Sequence, residues 1–182
     1  MLDPRKRPRV VNVVSTADLG RRVGAKKMAA MPCCMYDEAV YGGRCGYIKT
    51  PGMRGRVTVF LSGKMISVGA SSVRASFAQL HEARLHLFRN GAAAGGCTRP
   101  VVRNMVATVD AGRTVPIDRI SSRIPGAVYD PGSFPGMILK GLGSCSFLVF
   151  ASGKVVIAGA RSPGELYRSS FDLLARLNGA GA

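Results

Sequence analysis

The chain has 182 residues, of which 47% are apolar and 20% charged, a composition that indicates a globular protein and excludes a disordered one. Its 26 Lys and Arg residues outnumber its 10 Asp and Glu residues, so the formal net charge is +16 and we expect a polyanionic partner. Solubility and attraction to a membrane surface are the alternative explanations of this charge. Apolar runs are far shorter than the ~20 residues of a membrane span, and residues 1–9 lack the apolar segment of a secretory signal, so we expect an intracellular protein.

The first half of the chain predicts a strand, a short helix, further strands and a long helix. Residues 10–17 alternate in the manner of a strand, with Asn12, Val14 and Thr16 on one side. Further strands follow, and the pattern after Ser72 predicts a helix that ends at residues 90–91.

The second half predicts the same order of elements. A short helix with isoleucines at helical spacing covers residues 117–124, and strands at 147–150 and 154–158 are joined by a tight turn. The last helix begins with a capping box at Ser162–Glu165 and ends at Gly179.

This shared order reflects an internal repeat. Leu61–Ala70 reappears as Ala151–Ala160 with five of ten positions identical, and Asn12 maps to Asn104. We predict an α+β fold with helices on one face of an antiparallel sheet. The predicted segments are a basic arm at 1–9, a first repeat at 10–91, a Gly/Ala linker at 92–100 and a second repeat at 101–179.

The sheet face opposite the helices should be polar, and it is not. After Val57, Val59 and Met65 are assigned to the core, Phe60, Ile66 and Val68 remain on the other face. Such a face indicates an interaction surface, although a sandwich core or a dimer interface would also explain it. Apolar wedges combined with Lys, Arg and Asn are typical of proteins that bind the DNA minor groove and kink the duplex.

The doubled Asn-containing strand, the segment Tyr129–Gly136 and the Phe-x-Ser-Gly-Lys motif in each copy resemble the TATA-binding protein family. The resemblance implies a saddle of two pseudo-symmetric repeats, with a curved antiparallel sheet and helices on its convex face. It implies a factor that binds the TATA promoter element in the minor groove, bends it and recruits transcription factor B and then RNA polymerase, without a cofactor. The short N-terminal extension resembles archaeal members.

The resemblance also assigns roles to individual residues. Asn12 and Asn104 match the amides that read the minor groove. The residues matched to the DNA-binding concave face around them are Val14, Thr16, Thr58, Ile66, Val68, Val106, Thr108, Leu148, Val156 and Ala158. The residues matched to wedges that enter base steps are Phe60, Phe134 and Phe150, with Tyr41 at the fourth wedge position. The residues matched to phosphate contacts are Lys64, Lys140, Lys154 and Arg161. Asp130 matches an acidic contact with transcription factor B.

Several features depart from the family pattern, among them Tyr47 and Ser71 in place of basic residues and the net charge of +16. Tyr41 places a hydroxyl where the family has Phe, and this polar tip needs a partner or water. Gly132 replaces a carboxylate used against transcription factor B. A divergent paralogue with altered or no TATA preference is therefore the alternative function.

No catalytic or metal-binding set is visible in the sequence. His81 and His86 lack the spacing of a metal pair, and the cysteines at 33, 34, 45, 97 and 145 form no CxxC pair, so we expect reduced thiols, no metal and no enzyme activity. The glycine-rich stretch 141–146 leads into a strand rather than a helix. Two further classes stay open: the same fold as an accessory domain of a DNA glycosylase or ribonuclease H, and a homodimer that hides its sheet.

Overall fold

The computed structural model of the chain describes residues 7–93, 96 and 98–180. These residues form two compact units, which we call the first unit (Asn12–Arg103) and the second unit (residues 104–180 together with residues 7–11). Residues 1–6 of the predicted arm and residues 94, 95 and 97 of the predicted linker lie outside the described residues. The unit boundaries follow the sequence repeat with one exception. The residues just before Asn12 belong to the second unit, and those just before Asn104 belong to the first.

The first unit has the predicted order of strand, short helix, strands and long helix. Its sheet is antiparallel with strand order β2-β3-β4-β5-β1. The elements are β1 (Arg9–Asp18), α1 (Ala25–Ala30), β2 (Cys34–Tyr36), β3 (Cys45–Ile48), β4 (Arg56–Phe60), β5 (Lys64–Ala70) and α2 (Val73–Arg89).

The second unit repeats this arrangement with strand order β6-β10-β9-β8-β7. A short 3₁₀ turn at Ser121–Arg123 extends its first helix. The elements are β6 (Val101–Asp110), α3 (Ile117–Ile120), β7 (Ala127–Val128), β8 (Gly136–Leu142), β9 (Cys145–Phe150), β10 (Lys154–Ala160) and α4 (Pro163–Ala180).

One face of each sheet packs against its long helix, as the alternation predicts. In the first unit the strand residues Val57, Val59 and Met65 are buried together with Leu80 and Leu87 of α2. In the second unit the predicted inward residues Phe147, Val149, Val155 and Ile157 are buried, as are Leu166, Leu173 and Leu177 of α4. Each fully buried side chain of this size stabilises the fold by about 1.5–3 kcal/mol.

The start of α4 differs in detail from the predicted capping box. The Ser162 hydroxyl accepts the Glu165 N–H at 3.1 Å, as predicted, but the Glu165 carboxylate accepts the N–H of Arg161 at 2.7 Å rather than that of Ser162. The Ser144 hydroxyl donates to the other oxygen of the same carboxylate. The Ser144 hydrogen bond, and then the Arg161 N–H, lower the pKa of Glu165. The helix also continues past the predicted end, Gly179, to Ala180.

The core of the first unit contains polar groups. The Gln79 amide donates to the Ser67 hydroxyl at 2.7 Å and accepts the Gly55 N–H at 2.8 Å. Among the buried side-chain polar groups of the described residues, the fully buried Ser15 hydroxyl has no hydrogen-bond partner. At the repeat offset of 92 residues, the second unit has Ala107 in place of Ser15.

Candidate nucleic-acid interface

The second face of the first unit's sheet is half-exposed and mostly apolar. β1 pairs with β5 through Thr16 and Ile66, and β5 pairs with β4 through Ile66 and Thr58, so these side chains share one face. The predicted residues of this face are all partly exposed: Asn12, Val14, Thr16, Thr58, Phe60, Ile66 and Val68. The structure therefore brings the predicted set together opposite α2.

The second unit presents the equivalent face. β10 lies between β6 and β9, where Val156 pairs with Thr108 on one side and with Leu148 on the other. The predicted residues of this face are again partly exposed: Asn104, Val106, Thr108, Leu148, Phe150, Val156 and Ala158. Ile138, which the sequence analysis missed, pairs with Leu148 and is half-exposed on the same face.

Asn12 and Asn104 are held in the same way in the two units. The Asn12 Oδ1 accepts the N–H of Gly69 at 2.8 Å, and the Asn104 Oδ1 accepts the N–H of Gly159 at 2.9 Å. Because a backbone N–H can only donate, the contacting atom must be the amide oxygen, and the Nδ2 group is left as the donor end of the side chain. The Nδ2 donor of each side chain therefore points away from the glycine N–H that its Oδ1 accepts.

The two glycines that orient the amides lie at irregularities in strand pairing. The register shifts between Val13 and Ser15 in the first unit and between Ala158 and Ala160 in the second. Gly69 has φ +84° and Gly159 has φ +109°, and a Cβ on Gly159 would lie 2.4 Å from the Ser144 carbonyl oxygen. Only glycine fits such a bulge, so the amide orientation depends on backbone that no other residue can adopt without strain.

Phe134 and Phe150 form a pair of rings in the second unit. Their centroids are 5.9 Å apart with an interplanar angle of 60°, an edge-to-face arrangement, and both side chains are half-exposed. Gly136 pairs with Phe150 across β8 and β9, and a Cβ there would lie 2.8 Å from the Phe134 ring and 3.1 Å from the Phe150 ring. The absence of a side chain at this position makes room for the ring pair.

The loop that carries Phe134 is shaped by Asp130. The Asp130 backbone carbonyl accepts the Phe134 N–H at 2.9 Å, while its carboxylate accepts the Ser133 hydroxyl at 2.6 Å and the Gly132 N–H at 3.1 Å. The Ser133 hydroxyl, followed by the Gly132 N–H, lowers the pKa of Asp130. The hydrogen bonds of the exposed Asp130 carboxylate thus stabilise the conformation of its own loop.

The first unit does not reproduce this ring pair. Tyr41 is 72% exposed with φ +52°, and no ring contact joins it to Phe60 among the described residues. Cys45 is buried and pairs with Phe60 at the position where the second unit has Gly136. The polar tip of Tyr41 lies close enough to Tyr47 to contribute, after burial and Cys45, to a raised pKa of Tyr47.

The predicted basic residues are all exposed. Lys64 and Lys154 begin β5 and β10, Lys140 lies in β8 and Arg161 follows β10. Arg56, which is not among the predicted residues, has its guanidinium 4.6 Å from the centre of the Tyr47 ring. The internal repeat does not reveal this pair, because the positions that correspond to Arg56 and Tyr47 in the second unit are Ser146 and Ile138.

The groups considered for catalysis or metal binding have ordinary structural surroundings. The His86 Nε2 lies 2.6 Å from the Pro32 carbonyl oxygen, and residues 141–146 form the β8–β9 hairpin. Cys33, Cys34, Cys45 and Cys145 are free thiols. Within residues 7–93, 96 and 98–180, no cluster of three or more His, Cys, Asp or Glu side chains could hold a metal ion. None of the described helices combines the length and apolarity required to cross a bilayer.

Comparisons with known proteins agree with this geometry. The family model described as "Transcription factor TFIID (or TATA-binding protein, TBP)" matches residues 7–90 and 99–179. A "TATA-box-binding protein" of Cenarchaeum symbiosum is 86% identical over 182 residues, the whole of both chains. One of Pyrococcus furiosus is 28% identical over 172 residues, 93% of this chain and 89% of the relative. The solved structure "Methanococcus jannaschii TBP" has a TM-score of 0.84 at 24% identity, covering 95% of this chain and 99% of that one, which confirms the predicted fold class. The chain therefore belongs to the TATA-binding protein family.

Proposed function

We propose that this chain is a transcription initiation factor that binds the TATA element in the minor groove, bends it and recruits transcription factor B and, through it, RNA polymerase. The observation that carries the proposal is the pair Asn12 and Asn104, each fixed by a glycine N–H on a half-exposed apolar sheet face. Membership of a family of DNA-binding transcription factors supports it. The function needs no covalent step and no cofactor.

The orientation of the two amides explains a preference for A·T pairs. In the minor groove, A·T and T·A pairs both present only acceptors, adenine N3 and thymine O2, whereas a G·C pair adds the donor N2 amino group of guanine. The Nδ2 donors of Asn12 and Asn104 match the acceptors and oppose the amino group. Degenerate reading of this kind distinguishes A·T from G·C without distinguishing A·T from T·A.

The apolar side chains on the same face bend the DNA duplex. Phe134 and Phe150 offer a half-exposed ring pair that can enter a base step. Unstacking a step costs a few kcal/mol, which is offset when the kinked duplex lies along more of the protein surface. The exposed Lys64, Lys140, Lys154 and Arg161 then act on the phosphates, which adds affinity without sequence preference.

Recruitment of transcription factor B belongs to the loop around Asp130. Its carboxylate is exposed, and the lowered pKa keeps it ionised. An ionised carboxylate on a fixed loop suits a basic partner surface. Asp130→Asn keeps one oxygen for the Gly132 N–H, and it should weaken a supershift by the same organism's transcription factor B more than it weakens binding to DNA alone. An unchanged supershift would remove Asp130 from the contact.

Replacement of guanine by inosine provides the test of minor-groove reading. Inosine lacks the N2 amino group but keeps the major-groove atoms N7 and O6. We expect an I·C duplex to bind as tightly as an A·T duplex of the same length and a G·C duplex to bind weakly, measured by fluorescence anisotropy. Binding of I·C at the level of G·C would contradict minor-groove recognition.

A divergent paralogue with altered or no TATA preference is the second candidate function. The observation that favours it is the missing ring pair in the first unit, where Cys45 takes the place corresponding to Gly136 and Tyr41 is exposed. Selection from random duplexes, with and without transcription factor B, separates the two. Enrichment of A·T-rich sites supports the first function, and enrichment of other sites or of none supports the second.

A further inference from the structure

Each unit contains a basic groove beside its face phenylalanine. The first-unit groove has a volume of 390 Å³ and is lined by Phe60, Lys64, Arg99 and Arg103, among others. The second-unit groove has a volume of 760 Å³ and is lined by Phe150, Lys154, Arg7 and Arg9, among others. Thr16 with Ile66 and Thr108 with Val156 occupy matching positions in the two grooves.

One arginine of each groove, Arg7 or Arg99, comes from the equivalent place in the repeat, whereas Arg9 and Arg103 correspond to Val101 and Val11. Arg7–Pro8 and Arg99–Pro100 are separated by 92 residues, the same offset that relates Asn12 to Asn104. Each dipeptide precedes the first strand of its repeat and lies in the unit formed mainly by the other repeat. The segments before β1 and before β6 thus each place an arginine in one of the two grooves.

The positive charge of each groove exceeds its negative charge. Each contains one carboxylate, Asp18 or Asp110, whose Oδ1 accepts the N–H of Gly20 or Gly112 at 2.8 Å. Each of these carboxylates therefore has a hydrogen bond within the turn that follows it in the chain. In the first-unit groove the Arg103 Nε donates to the Thr16 hydroxyl at 2.8 Å, which holds that guanidinium against the sheet face.

We propose that the two basic grooves bind the sugar–phosphate strands that border the minor groove, with Arg7 and Arg9 acting in one and Arg99 and Arg103 in the other. The inference rests on the proposed function, because Phe60 and Phe150 form a wall of each groove as well as part of the DNA-binding face. The minor groove is only about 6 Å wide, so its phosphates pass beside any ring that enters it. Arginine is the side chain best suited to phosphate, since its planar fork binds two oxygens.

The test compares double substitutions that remove two charges at different places. The groove variants are Arg7→Gln with Arg9→Gln, and Arg99→Gln with Arg103→Gln. The control is Arg74→Gln with Arg176→Gln, two exposed residues of α2 and α4. All three have the same net charge, so long-range attraction changes equally.

Binding to an A·T-rich duplex is measured as a function of salt. Two lost phosphate contacts lower the slope of log K against log salt by about 1.8. Between 50 and 200 mM salt, the disadvantage of each groove variant should therefore shrink by roughly tenfold. The corresponding Lys substitutions should restore most of the slope, because the charge is kept, and thermal unfolding verifies that every variant is folded.

A slope unchanged from wild type in either groove variant, or lowered equally in the control, overturns the proposal for the grooves. The proposed function is judged separately by the wild-type chain. If that chain bends A·T-rich DNA while the groove slopes stay constant, the function stands and the groove inference fails. If it neither bends nor prefers A·T-rich DNA, the function fails whatever the slopes are.

Discussion

Substitution of Asn104 by Asp tests the orientation of the amide directly. Aspartate has nearly the same shape and keeps an oxygen for the N–H of Gly159, which lies 2.9 Å from the Asn104 Oδ1. The change replaces the Nδ2 donor by an acceptor. We therefore expect the fold to be retained, while the side chain opposes the acceptors of an A·T pair instead of binding them.

The expected loss of affinity for A·T-rich DNA follows from the replacement of a donor by an acceptor. A well-placed pair of hydrogen bonds to a base edge contributes about 1–3 kcal/mol to discrimination, which is roughly a 5- to 150-fold change in Kd. The base preference should also shift from A·T towards G·C. The new carboxylate accepts from the N2 amino group of guanine, so the ratio of A·T to G·C affinity falls, whereas simple repulsion from phosphates weakens both duplexes alike.

Fluorescence anisotropy with an A·T-rich and a G·C-rich duplex measures that ratio. Asn178→Asp provides the control, because it adds the same charge on the exposed end of α4. The control should leave the ratio at its wild-type value. An A·T to G·C ratio that is unaltered in Asn104→Asp, in a protein with wild-type thermal stability, would refute the orientation of the amide.

Four further predictions concern the wedge, the phosphate contacts, the core and the cap of α4. Phe150→Ala should reduce both DNA bending, measured by fluorescence energy transfer, and affinity, because the ring pair is lost. Lys154→Ala should weaken binding to all sequences and lower the salt slope by about one. Ser15→Ala should leave urea stability unchanged or raise it, whereas the reciprocal Ala107→Ser should cost about 1–3 kcal/mol, because a buried hydroxyl without a partner is unfavourable. Glu165→Gln should lower Tm at neutral pH and have no effect in acid: a pKa lowered from 4.5 gives stability that is present above that value and lost as the pH falls through the lowered pKa.

Each of these predictions has an outcome that contradicts it. Tyr167→Ala removes another exposed aromatic ring, on α4, and equal bending losses in it and in Phe150→Ala would remove the wedge role. A changed base preference with an unchanged slope in Lys154→Ala would contradict a phosphate contact. Destabilisation of equal size in the two reciprocal core variants would mean that the Ser15 hydroxyl is satisfied. A Tm difference for Glu165→Gln that persists at pH 2 would show that its role is not electrostatic.

The two faces of each sheet could be predicted because they follow from local alternation. A strand exposes every second residue to one side, so the pattern around Phe147–Phe150 separates buried from half-exposed positions before pairing is known. The internal repeat strengthens this inference by giving each pattern twice. The long helices are predictable for the same reason, since their apolar spacing and serine caps are local signals.

Features that depend on pairing between distant segments could not be predicted. The hydrogen bond from Gly69 to Asn12 joins residues 57 positions apart and requires the bulge between β1 and β5. The glutamate of the capping box was assigned to the wrong N–H, because the Ser144 hydroxyl, 21 positions away in the chain, also binds its carboxylate. Sequence patterns contain the residue types of these contacts but not their partners.

The wedge position of Tyr41 shows the same limit in functional terms. A motif match places an aromatic ring there, but whether that ring meets Phe60 depends on the residue across the strand pair. Cys45 has a side chain at this place, and Gly136 in the second unit does not. The basic grooves could not be predicted because their arginines come from different segments: Arg7 and Arg99 precede the strands, Arg9 begins β1 and Arg103 lies within β6.

The unequal aromatic contacts of the two units have a consequence for direction. A protein with two identical halves would have the same energy on a palindromic site after being turned end for end. Under the proposed wedge roles, the second unit offers two rings in contact, whereas Tyr41 and Phe60 of the first unit form no such pair among the described residues. The softer step of an asymmetric site would then be better matched to the unit with the ring pair. An energy difference of only about 1.4 kcal/mol between the two placements gives a tenfold excess of one over the other. Unequal stiffness along the duplex would then be enough to favour one orientation of the bound protein.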